Sequence, residues 1–132
     1  MESIIASNVE SALRDLLRKY GFTRGELELR QGVDLIGSRL TARQVPLLTW
    51  RGVRKFVELR NIIKDSTIEN PCLLRFAVFS SKGDWSFKAL LYRELDLIEY
   101  ITGRRIVSVN ACLNGEGTGN VIAITDNGIL CS

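Results

Sequence analysis

The chain has 132 residues, 45% hydrophobic and 25% charged, the balance of an ordinary globular protein with room for one core. Its net charge of +3 is far short of the basic footprint of an obligate nucleic-acid binder, although 13 of its 18 basic residues are arginine, the better fork for phosphate oxygens. It has no histidine, which excludes a Ser-His or Cys-His nucleophilic pair and an imidazole-held zinc; any catalysis must rest on carboxylates, Lys/Arg or Tyr.

No apolar run reaches the roughly 18 residues that a membrane span needs, and Met-Glu-Ser at the start lacks a basic region ahead of an apolar one. An intracellular protein with no membrane partner is expected. Cys72, Cys112 and Cys131 have no metal-ligand spacing and read as free thiols.

From Ile5 the apolar positions Val9, Ala12, Leu13, Leu16, Leu17 and Tyr20 repeat as in an amphipathic helix, with Gly21 as its C-cap. Glu10 lies at the border of that stripe. Residues 26–30 alternate as a strand, Gln31-Gly32 turns the chain, and residues 33–37 make the second arm of a hairpin. Thr41-Ala-Arg-Gln44 has the form of a capping box, but Pro46 favours an extended path through Leu47-Leu-Thr-Trp50. Arg51-Gly52 then turns into residues 53–60, Val-Arg-Lys-Phe-Val-Glu-Leu-Arg, which read as a strand with Glu58 and Arg60 on one face. Asp34 joins them if the two strands are neighbours.

Residues 61–69 form a short polar connection or helix, closed by Asn70-Pro71. Residues 72–79 are apolar except at Arg75, which predicts a strand buried on both faces. After a turn at 80–84, Ser86 caps a helix through Leu95, and Leu97-Ile-Glu-Tyr100 is either its end or a short strand. Two β-like runs, 104–113 and 120–125, flank Asn114-Gly-Glu-Gly-Thr-Gly-Asn120. Lying between strands and lacking Gly-Lys-Ser/Thr, that segment is a hairpin loop before it is a phosphate cradle. Asp126-Asn-Gly128 turns into a last strand, 129–131. Trp50 and Trp85 read as core or interface aromatics.

This order of elements, with its particular residues, resembles the PD-(D/E)xK nuclease superfamily, near the archaeal Holliday junction resolvases and related restriction-endonuclease-like domains. The resemblance covers about residues 8–101. Residues 8–22 look like the family's first helix, Gly32-Val-Asp-Leu-Ile36 like the strand with its first aspartate, Lys55-Phe-Val-Glu-Leu-Arg-Asn61 like the strand with (D/E)xK, and 74–81 with 88–98 like its later strand, helix and strand.

The resemblance implies an α/β (α+β) fold with a central mixed sheet flanked by helices, as a single domain: residues 1–103 a nuclease-like core and 104–132 a C-terminal β extension. It implies Glu10, Asp34, Glu58 and the backbone carbonyl of Leu59 as ligands of Mg²⁺ or Mn²⁺, hard cations suited to carboxylate oxygens. The expected activity is metal-dependent hydrolysis of a phosphodiester in DNA, branched DNA included, by a homodimer. The chain departs from the family at position 60, where arginine stands for the catalytic lysine and is too basic to act as a base. The alternative is a catalytically inactive nucleic-acid-binding or structural assembly protein of the same fold.

Overall fold

The computed structural model describes residues 2–21, 48–79, 86–114 and 118–132. They fall into two compact units, Met1–Val53 and Arg54–Ser132. The predicted hairpin at 26–37, the capping box at 41–44, the turn at 80–84 and Trp85 lie outside the described residues.

In the first unit, helix α1 spans Glu2–Tyr20. It ends where Gly21 takes the left-handed conformation (φ +73°) and Arg18 and Lys19 place positive charge at the dipole's negative end. The predicted stripe is half-buried at Val9, Leu13 and Leu17, while Leu16 and Tyr20 stay exposed. α1 packs against a short 3-10 helix, Thr49–Gly52, which carries the fully buried Trp50.

The second unit opens with a correction. Residues 53–60, expected as a strand, lie mostly in helix α2, Arg54–Lys64. Strand-like alternation holds only over Val57-Glu-Leu-Arg60. Over the longer window Phe56, Val57, Leu59, Ile62 and Ile63 are buried or half-buried, and Arg54, Lys55, Glu58, Arg60, Asn61 and Lys64 are exposed, which is helical spacing. The backbone leaves α2 through a left-handed Ser66, φ 55°.

Strand β1, Leu73–Leu74, follows, then helix α3, Phe87–Thr102, and strands β2, Ile106–Asn114, β3, Thr118–Thr125, and β4, Leu130–Cys131. α3 begins as its sequence predicts: Ala89 N–H donates to the Ser86 hydroxyl at 3.2 Å. It runs through Leu97–Tyr100, so that segment is helix end rather than strand, and Gly103 (φ +63°) closes it with its N–H on the Glu99 carbonyl at 2.9 Å.

The four strands form one mixed sheet in the order β1-β4-β3-β2. β2 and β3 make the expected hairpin, with a register irregularity between Ile106 and Ser108, and β4 pairs antiparallel with β3 and parallel with β1. Residues 104–132 supply three of the four described strands. Residues 72–79 are corrected too. Only Leu73–Leu74 is strand, at the sheet edge, and Leu73 and Phe79 are exposed rather than buried on both faces.

α3 covers one face of this sheet. Ile98 packs with Ala123, Ile129 and Cys131, and Leu74, Phe76, Leu95 and Ile106 close the cluster. The turn at 126–128 is held from inside by Thr125. Its buried hydroxyl donates to Asn127 Oδ1 at 2.7 Å and accepts from Ile129 N–H at 3.0 Å. Thr125→Val keeps the shape but leaves the Ile129 N–H without this partner, and a loss of about 1–3 kcal/mol is expected in urea unfolding.

Burial pushes the Cys131 thiol above its ordinary range. The unfolded chain then releases this proton more readily than the folded one. The contribution to stability is complete below the ordinary thiol pKa and is lost as pH rises through the folded value. Cys72 and Cys112 are exposed. A thiol reagent at neutral pH should modify these two rapidly, with Cys131 reacting only after unfolding.

Candidate functional site

The helical form of α2 decides where the predicted site residues go. Two residues apart on a strand, Glu58 and Arg60 would share a face; on a helix they stand about 200° apart. Glu58 turns back along α2, accepting a hydrogen bond from Arg54 Nε at 2.6 Å, and this carboxylate holds the Arg54 guanidinium above its ordinary pKa. Arg60 lies on the other side, with its guanidinium 4.7 Å from the ring centroid of Tyr100 on α3. Leu59 sits inside the helix, where its carbonyl is taken by the helical ladder.

Glu10 is bound by Arg14, one turn further along α1. Asp34 lies outside the described residues. The two described carboxylates of the expected ligand set are each paired with an arginine of their own helix, Glu10 with Arg14 and Glu58 with Arg54. Among the described residues no group of three or more His, Cys, Asp or Glu could hold a metal ion.

Sequence reasoning passed over the most enclosed of the described ion pairs. Arg93 and Glu94, consecutive on α3, approach to 3.8 Å with each side chain only 17% exposed. The Arg93 guanidinium also stands 5.9 Å from the Phe56 ring centroid. This ring contact joins α3 to α2.

The sheet itself carries the second overlooked feature. Residues paired directly across strands point to the same side. One row, Leu74, Cys131, Ala123 and Val109, therefore faces α3. The alternate row, Leu73, Leu130, Ile124 and Ser108, faces away from it. Burial follows the division: Ala123 and Cys131 are 1% and 0% exposed, against 57% for Leu73, 41% for Leu130 and 39% for Ile124.

Ile122, 41% exposed, extends this outer patch along β3. The remaining paired positions on the same side are Asn110, Cys112, Asn114, Thr118 and Asn120, so this face of the paired strands holds no charged side chain. A signal was present in the sequence: Val121-Ile-Ala-Ile and Cys72-Leu-Leu are apolar at every position, whereas a strand with one solvated face alternates.

No family model, curated protein or solved structure matches the chain. Among the described residues, no helix is long and apolar enough to cross a membrane.

The Arg60–Tyr100 contact can be measured by itself. A double-mutant cycle of Arg60→Ala and Tyr100→Leu should return a coupling of about 0.5–1 kcal/mol in chemical denaturation. A strand at 53–60, with Arg60 beside Glu58, would give none.

Proposed function

We propose that the second unit is an assembly module, in which the outer face of the sheet docks on the same face of a second copy of the chain. The observation that carries this reading is the apolar row Leu73, Leu130 and Ile124 with Ile122 beside it on the outer face. Contiguous apolar surface left in water is a site for association. The apolar row selects the occupant. An identical row brought up across a two-fold axis sets these Leu and Ile side chains against their own kind and withdraws apolar surface from water on both copies.

Each half-exposed Leu or Ile withdrawn from water adds roughly 1 kcal/mol, which must overcome the loss of free motion on association. A modest affinity follows, with dissociation on dilution. Asn110, Asn114, Thr118 and Asn120 supply polar groups around the apolar patch, as in interfaces that form and separate. In this reading the chain does no chemistry of its own at the sheet.

Sedimentation equilibrium tests the proposal. The wild-type chain should dimerise with rising concentration, and Ile124→Asp with Leu130→Asp should stay monomeric with an unchanged far-UV spectrum. A chain that is monomeric at every concentration would contradict it. The metal-dependent endonuclease that the resemblance implies is the competing proposal, and it predicts Mg²⁺-dependent nicking of duplex or branched DNA that is lost in Glu58→Ala. The assembly reading predicts no nicking in either protein.

A further inference from the structure

A separate region of the second unit carries charge that the assembly reading leaves unused. The end of α2, the connection at 66–72 and the two turns at 101–104 and 127–129 enclose an open cleft of about 1030 Å³. That is room for a small molecule. Arg60, Lys64 and Arg104 all line it, and Glu69 is the one acidic residue on its wall.

Among the described residues none of the three cations forms an ion pair; Glu10, Asp15, Glu58 and Glu94 are held by Arg14, Arg18, Arg54 and Arg93. Arg60 is also held in place. Its contact with the Tyr100 ring, 4.7 Å from guanidinium carbon to centroid, restrains the side chain, so less rotamer freedom is lost when its N–H groups take up an acceptor.

Arg60 and Lys64 also complement the negative end of the α2 dipole, and Arg104 does the same for α3. Four of the carbonyls at these ends are already occupied. Asp65, Ser66 and Thr67 donate to Asn61, Ile63 and Ile62, and Gly103 donates to Glu99. What is left is a partial charge of about half a unit at each helix end, together with Glu69, against three full positive charges. The balance stays positive. Two of the lining residues, Ser66 and Asn70, also hold positive φ, 55° and 50°, a conformation that non-glycine residues seldom adopt and that shapes this wall of the cleft.

We infer that this cleft binds a small ligand through a multiply charged oxyanion group, a phosphate or pyrophosphate, held by Arg60, Lys64 and Arg104. Arg60 and Arg104 act as forks on the oxygens, and Lys64 acts as a point charge. A small ligand is favoured over a polymer because three cations confined to one cleft do not make the extended basic track that a nucleic-acid backbone requires.

The test uses the full chain and inorganic pyrophosphate as the probe, followed by calorimetry and by amide shifts. Saturable binding at or below about 1 mM is expected, with shifts confined to residues 60–72, 101–104 and 127–129. Arg60→Gln and Arg104→Gln should each weaken it roughly tenfold, and Arg60→Lys should retain part of the affinity. Lys88→Gln, on exposed helix surface away from the cleft, should leave it unchanged. Absence of saturable binding, an equal loss in Lys88→Gln, or full affinity in the cleft variants would overturn the inference. A single-stranded oligonucleotide that binds more tightly as its length increases would overturn it in favour of a polymer site. Because Arg60 and Arg104 lie outside the outer sheet face, failure here would leave the dimerisation result unaffected.

Discussion

The packing of Leu95 and Ile98 against Ala123, Ile129 and Cys131 determines which side of the sheet is inside. α3 can cover only one face, and its own apolar stripe commits it there. Side chains alternate along each strand, so this single contact assigns every paired residue of β1, β4, β3 and β2 to an inner or an outer row. Cys131 and Ala123 lose their water, and Leu130 and Ile124, one position away, keep theirs. A slip of one residue in register would reverse that assignment and expose the core.

Polar groups reinforce the same arrangement. Thr125, buried on the inner row, uses its hydroxyl to fasten the turn that brings β4 back beside β3, while the Ser86 cap and Gly103 set the two ends of α3. Arg60 on Tyr100 and Arg93 near Phe56 then dock α2 on α3. Among the described residues of this unit no element covers the outer row, and four half-exposed Leu and Ile side chains are a larger commitment than scattered surface apolar residues.

Local signals in the sequence were legible where one residue type suffices to set the backbone. Gly21, Ser86 and Asp126-Asn-Gly128 each mark a helix end or turn that the structure contains, and the β2–β3 hairpin follows from two β-rich runs and a glycine-rich link. α2 was not legible over eight residues, because Val57-Glu-Leu-Arg60 alternates by chance; Ile62 and Ile63 and the Arg54–Glu58 pair are needed to reveal the helical period. That local ambiguity propagated into the site, since a strand places Glu58 beside Arg60 and a helix separates them. The pairing of β1 with β4 was hidden for a different reason. It joins Leu73 to Leu130 across most of the unit, and no local pattern encodes a parallel partner so distant along the chain.

The division of the sheet into a covered and an open face is tested most directly by cysteine reactivity at adjacent positions. In a chain with Cys72 and Cys112 changed to serine, Ala123→Cys and Ile124→Cys would be labelled separately over a range of protein concentrations. The account predicts that position 123 resists labelling throughout, while position 124 reacts freely in dilute protein and becomes protected as the concentration rises. Equal reactivity at the two positions, or protection of position 124 at every dilution, would contradict it.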